Sequence, residues 1–459
     1  MDVLELARWQ FGVTTVFHFL FVPLTIGLAP IVAIFQTVAY RTGNEKWLRL
    51  TKFFGKLFLI NFALGVVTGI VQEFQFGMNW SSYSRYVGDI FGAPLAIEGL
   101  AAFFLESTFL GLWIFGWNRL PRGLHLATIW LVSLGTWLSA YFILAANSWM
   151  QNPVGFRINE EAGRAELESI GAVLTNPNLF VTFQHTILAS MVTAGVFVLA
   201  VCSYHLLRGN DVDVFRPAAA LAIAITFAGS LGTAWAGHSL AELKTELQPM
   251  KIAAAEALYD TEAPASFSLF AIGPLDGSRT YVNVTVPYLL SVLATNTLDG
   301  EVQGMNDLQA QYTEEFGAHD YVPYVPVMYW SFRVMVGIGM LLIGVGAIGL
   351  YLVRRKRLET SRWFLIPAMW IVTLPFIANS AGWLFTEMGR QPWVVQSLLF
   401  TADGVSPTVS TGNVITSLVA FIAIYGVLIV IEVGLILTYA RKGLTEERTP
   451  EEVGTALQY

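Results

Sequence analysis

The sequence predicts an all-α polytopic membrane protein with about nine transmembrane helices and one large external loop between helices six and seven. Three observations predict it. The chain is 55% hydrophobic and only 13% charged, with a mean hydropathy of +0.57, which lies outside the range of soluble globular domains. Several apolar runs exceed the roughly 20 residues that cross a bilayer. Lys and Arg gather in alternate connections between those runs.

The apolar runs lie at about 11–40, 53–76, 93–117, 124–148, 181–206, 216–238, 327–353, 363–387 and 412–440. Fourteen Trp and sixteen Tyr, many near segment ends, suit anchoring among lipid headgroups. The connections after runs one, three, five and seven carry Arg41, Lys46, Arg49, Lys52, Arg119, Arg122, Arg208, Arg216, Arg354 to Arg357 with Lys356 between, and Arg362. The C-terminal tail adds Arg441, Lys442 and Arg448. By the positive-inside rule the N-terminus is outside and the C-terminus cytoplasmic. The net charge of −7 does not oppose this, because acidic residues weigh little in that rule. The N-terminus has no basic region or cleavage site, so run one is expected to stay attached. The chain reads as one membrane domain, 1–459, including the loop at about 239–326. That loop sets Lys244, Lys251 and Arg279 against a dozen acidic residues and includes an amphipathic helix predicted from Glu242 to Tyr259. A stretch this long without structure of its own is uncommon and usually functional.

With the topology fixed, buried polar residues sort by depth. His18 sits about two turns below the outer end of run one. Glu98 and Glu106 lie in the outer half of run three, about 12 Å apart along an ideal helix and roughly 80° apart around it. His185 begins run five, Arg333 and Met335 begin run seven, and Glu387 ends run eight, just before Arg390. All of these ends are on the loop side. Singly, each has an ordinary explanation: a packing histidine, a core methionine, an arginine anchored in headgroups. Residues with only those roles would scatter over both leaflets. A carboxylate in such a setting costs several kcal/mol unless it is paired or bound to a metal.

The ligand chemistry fits haem. His and Met on different helices make a six-coordinate, low-spin iron of raised potential, and a haem held by one His or Glu keeps a position open for a diatomic ligand. Zinc or copper would need three or more nitrogen or sulfur ligands close together. Of the six histidines only His18 and His185 lie in this outer layer, and the single cysteine, Cys202, lies inside run five.

The chain resembles subunit I of the cytochrome bd quinol oxidases over essentially its whole length. The resemblance is carried by Arg8-Trp9-Gln10-Phe11 with His18-Phe19-Leu20-Phe21-Val22-Pro23, by Glu98-Gly99-Leu100 with Phe103-Phe104-Leu105-Glu106-Ser107-Thr108, and by Ala146-Asn147-Ser148-Trp149-Met150-Gln151-Asn152-Pro153. Trp330-Ser331-Phe332-Arg333-Val334-Met335 and Gly389-Arg390-Gln391-Pro392-Trp393 complete it. It implies His185 and Met335 as axial ligands of a low-spin haem b. It implies His18 and Glu387 as ligands of a high-spin haem b and a haem d, without saying which holds which. Glu98 matches a carboxylate near that pair, and Trp383 an aromatic residue between haems. Glu106, Ser107, Ser139 and Asn147 match a path for protons from the cytoplasm. Lys251 and Glu256 match the quinol-binding pair of the Q-loop, here of the short branch. Met388 follows Glu387 where some relatives carry an aromatic residue.

The activity so implied is oxidation of ubiquinol or menaquinol at the outer face and reduction of dioxygen to water with cytoplasmic protons, generating a proton motive force without a pump. The expected setting is the bacterial inner membrane, with a second subunit and single-helix small subunits as partners and no nucleic acid. The rival reading is a haem-free proton or cation transporter using Glu98 and Glu106. It leaves the His185/Met335 pair and the loop pair unexplained.

Overall fold

The computed structural model describes residues 2–444; Arg448, used for orientation above, lies outside them. Among the described residues nine helical spans are long and apolar enough to cross a membrane: Val3–Thr42, Glu45–Met78, Ser81–Phe115, Arg122–Gln151, Ile170–Arg208, Val212–Leu247, Val325–Arg354, Arg362–Met388 and Thr411–Lys442. Each matches an apolar run, and most extend past it, because polar residues at a helix end cost nothing once they leave the hydrocarbon.

Four spans are not continuous α-helix: the fifth breaks at 175–176, ahead of Pro177, and in the first and third the break sits at a candidate site residue. The first span opens on a capping box in which Asp2 accepts from the Glu5 amide and Glu5 from the Asp2 amide. It ends its first helix at His18, turns over 19–21, and resumes as Val22–Thr42. Pro23 has no N–H to give and is tolerated only in a first helical turn, so the chain restarts there. The third span holds a π-helical stretch, Glu98–Phe103. The 80° separation expected for Glu98 and Glu106 on an ideal helix is therefore corrected: across the wider turn both residues meet the fourth span, Glu98 through its carboxylate and Glu106 through Cα and Cβ. The eighth span is interrupted by a 3-10 turn, Ile371–Thr373, ahead of Pro375.

The loop departs from its prediction as well. The sixth span runs on to Leu247, and a separate short helix, Pro249–Glu256, follows after Gln248. A single amphipathic helix from Glu242 to Tyr259 is thus corrected to two, because Pro249 cannot supply the amide that would continue the first. Beyond it, strands Phe267–Ile272 and Val282–Val286 pair antiparallel, with Phe267 opposite Val286 and Ile272 opposite Val282. Helices Leu289–Thr295 and Met305–Phe316 complete the loop.

The largest apolar core fills the half of the bundle away from the loop, where Leu28, Phe35, Phe54, Phe58, Val198, Phe215 and Leu365 are fully buried. On the loop side the connections close over one another. The Gln396 amide donates to Met150 O at 2.9 Å and the Ser406 amide to Asn79 O at 2.8 Å, above a cluster containing Trp80, Tyr83, Trp149 and Val395.

Candidate haem and quinol sites

Three predicted iron ligands share one local device: each lies against a glycine of a neighbouring span. A Cβ at Gly69 would stand 3.1 Å from His18 Cε1, one at Gly237 3.3 Å from His185 Cε1, and one at Gly382 2.7 Å from Met335 Sδ. A ring or thioether can lie flat on another helix only where no side chain intervenes. His18 also has one ring nitrogen engaged by a neighbouring hydroxyl. Its Nδ1 is 2.9 Å from Thr68 Oγ1, while that hydroxyl donates to Leu64 O and Gly65 O at 2.9 and 3.0 Å. When the hydroxyl proton is on a backbone carbonyl, Thr68 accepts from Nδ1–H, the arrangement that leaves the Nε2 lone pair for a metal. His185 Nδ1 is buried and finds no hydrogen-bond partner among the described residues.

The fourth span forms a polar spine for the rest. Gly135 allows the Glu106 backbone to approach, with its hypothetical Cβ 2.9 Å from Glu106 Cβ. One turn on, Ser139 donates to Glu98 Oε1 at 2.6 Å. Two further turns on, Asn147 donates to Glu387 Oε1 at 2.9 Å. Gln151, one turn beyond, donates to Asn147 at 2.6 Å and accepts from Lys244 at 2.6 Å and Lys251 at 3.2 Å. From Gly135 to Gln151 this covers about 24 Å of helix. Ser107 is turned away from it and donates to Phe103 O of its own helix at 2.8 Å. Trp383 is half-buried, next to Gly382.

Glu387 is bonded from both sides, since Arg390 donates to its other oxygen. Arg390 is 4% exposed, and its Nε and Nη1 find no partner among the described residues. Lys244 and Lys251 reach the same network through Gln151 and Asn147, so three buried basic side chains share it with one carboxylate. Burial pushes the Lys251 ammonium down to about 7; Glu387 opposes the shift and Arg390 adds to it. Unpaired buried cations are costly, so this pocket is suited to anionic groups.

Lys251 and Glu256, expected to act as a pair, are not brought together. Glu256 lies under the strand pair. Its Oε2 accepts from Arg333 at 2.7 Å and from the Ser268 amide at 3.1 Å, while Arg333 also donates to Ala255 O at 2.6 Å and to Ser268 O at 3.0 Å. Ser268 Oγ is 2.8 Å from Tyr329 Oη. Burial pushes the Glu256 carboxyl up, and the adjacent Arg333 guanidinium pulls it part of the way back. Five residues of helix put the two side chains about 140° apart, enough to send them to different neighbours.

Gln151, Lys244, Thr68, Ser268 and the three glycines escaped the reading of the sequence. Gln151 stood inside a motif that carried the resemblance, and Lys244 was visible as one of only three basic loop residues. The glycines and Thr68 left no local signal.

A family profile described as cytochrome bd terminal oxidase subunit I matches residues 6–444. The chain belongs to that family. It is 49% identical over 444 residues to cytochrome bd ubiquinol oxidase subunit 1 of Bacillus subtilis (strain 168), covering 96% of this chain and 94% of the relative. It is 40% identical to cytochrome bd-II ubiquinol oxidase subunit 1 of Escherichia coli (strain K12), covering 96% and 97%. The solved structure of the bd oxidase from Geobacillus thermodenitrificans superposes with a TM-score of 0.88 at 29% identity, covering 96% of this chain and 99% of that one. Membership makes the chain a terminal oxidase subunit, an oxidoreductase of respiratory electron transport and a multi-pass protein of the bacterial inner membrane.

Haem is the cofactor class that this family implies, and the residues present fit it. His18 has Nδ1 engaged by Thr68, which leaves Nε2 for a metal, and His185 and Met335 are seated on backbone cleared of side chains. Glu387 is oriented by Asn147 and Arg390. The free Arg390 donors, with Lys244 and Lys251 nearby, suit carboxylates on a tetrapyrrole rim.

Proposed function

We propose that this subunit carries the quinol and oxygen chemistry of the oxidase: it oxidises a membrane quinol, ubiquinol or menaquinol, at the loop face and reduces dioxygen to water. In this reading the loop face is external, because the opposite connections hold most of the Lys and Arg. His185 and Met335 hold a low-spin haem b, and His18 and Glu387 hold a high-spin haem b and a haem d. When bound, these groups supply one-electron storage and the iron at which dioxygen is reduced.

This chain's own residues then have separable tasks. Glu256 accepts a proton from the quinol hydroxyl, and Arg333, fixed by two backbone carbonyls, holds that carboxylate in place. Lys251, fully enclosed, steadies the polar network beside it through Gln151 and Gln248. Glu106 and Glu98, both against the fourth span, pass protons from the cytoplasmic half, with the Ser139 hydroxyl orienting Glu98. Asn147 continues this line to Glu387, Ser107 sits one residue from Glu106 on the same path, and Trp383 stands between haems. Protons leave outside and are taken up inside, so charge separates without a pump. A second subunit and single-helix subunits complete the enzyme.

The observation that carries this reading is the seating of three candidate iron ligands, His18, His185 and Met335, on glycines of neighbouring spans. A visible absorption spectrum of the purified protein tests it. Reduction should give low-spin b-type bands together with a far-red band of a chlorin-type haem. A colourless, haem-free preparation that transports protons or cations would overturn it in favour of a transporter.

A further inference from the structure

Just beneath the Glu256 cluster the surface opens into an apolar groove of about 340 Å³ between the seventh and eighth spans. Pro326, Val327, Trp330 and Val334 form one wall, and Ala381 and Leu384 the other. Its volume is at the lower end of the roughly 300–1,000 Å³ usual for small-molecule sites. The groove has two distinct ends. At the loop end Phe270 of the strand pair meets the Trp330 ring edge-on at 5.5 Å, and Tyr329, next to Trp330, reaches Ser268 with its hydroxyl. At the other end the wall residue Ala381 adjoins Gly382, the seat of Met335. Arg333, which holds Glu256, falls between wall residues Trp330 and Val334 on the same helix. An amphiphile in this groove would have its polar head at the Glu256 cluster and its apolar tail along Trp330 and Val334.

We propose that this groove seats the isoprenoid tail of the quinol and so aims its ring at Glu256, an inference that rests on the quinol reading above. Lipid tails are as apolar as the groove, so burial alone gives no preference for it over the bilayer. The groove acts by direction: a tail held along the seventh span fixes where the attached ring can go.

The test compares an isoprenoid quinol with a tailless tetramethyl quinol on the haem-loaded enzyme. Val334→Trp should fill the groove and raise KM for the isoprenoid quinol by about tenfold or more relative to the tailless one, the scale on which an apolar slot rejects a misfit. Leu384→Phe, a milder occlusion from the opposite wall, should move the same ratio in the same direction and serves if the tryptophan variant fails to fold. Met340→Trp, on another face of the helix, should leave the ratio unchanged. A ratio unmoved by both groove variants would make the groove a seat for lipid or for another subunit's helix, and would overturn the proposal. A wild-type enzyme that oxidises neither quinol while accepting electrons from an artificial donor would instead refute the quinol reading itself.

Discussion

Replacing Gly382 with alanine would place a methyl carbon 2.7 Å from the Met335 sulfur. Non-bonded heavy atoms settle at about 3.5–4.0 Å, so the sulfur must retreat by about 1 Å. It lies near the end of a flexible side chain, and the helices can stay where they are. Overpacking of this kind costs about 1–3 kcal/mol, which a bundle of this size should survive. A metal bond is less forgiving, since ligand distances hold to about 0.2 Å. The low-spin haem should therefore lose its sulfur ligand although Met335 itself is unchanged. A Met/His iron has a raised potential, so the midpoint should fall and the low-spin band weaken or shift in reduced-minus-oxidised spectra. Met335→Leu should reproduce the effect with under about 1.5 kcal/mol of packing change. Gly237→Ala, whose Cβ would stand 3.3 Å from the His185 ring, should do less. Wild-type low-spin spectra and midpoints in both Gly382→Ala and Met335→Leu would refute Met335 as a ligand.

Glu256→Gln should slow haem reduction by quinol while reduction by a small artificial donor proceeds normally; equal slowing with both donors would move the defect to the haems. Burial raises the Glu256 carboxyl, so wild-type quinol oxidation should speed up as pH rises through that raised value. The glutamine variant should lose this limb of the pH profile, and a retained limb would assign it to another group. Thr68→Val removes the acceptor for His18 Nδ1 and should weaken binding of the haem that His18 holds by about 10–100-fold, read as pigment content after detergent washing. Full retention would mean that the hydrogen bond does not set the tautomer. Glu106→Gln should slow dioxygen consumption by pre-reduced enzyme yet leave quinol-driven reduction of the low-spin haem intact, and unchanged oxygen kinetics would take Glu106 off the proton path.

The nine spans were legible because a helix must satisfy its own backbone in lipid, which makes membrane topology a local property of hydropathy. The ligand candidates were legible for a related reason: ionisable and ligating side chains are conspicuous in an apolar run, and their common depth could be counted along the chain. The breaks next to them were only half visible. Pro23 and Pro249 announce interruptions at His18 and in the loop, yet nothing in Glu98–Phe103 announces a π-helix. Its consequence, two glutamates against one face of the fourth span, could not be counted from residue spacing.

What the tertiary structure alone decided is which neighbours meet. The sequence by itself determined the number of spans, the layer holding the site and, through its motifs, the residues to suspect. It could not show that Lys251 turns to Gln151 while Glu256 turns to Arg333, or that Gly69, Gly237 and Gly382 clear space for His18, His185 and Met335. Hydropathy is summed residue by residue along the chain. A hydrogen bond or a cleared surface belongs to two segments at once, and only packing brings residues 151 and 251, or 335 and 382, into contact.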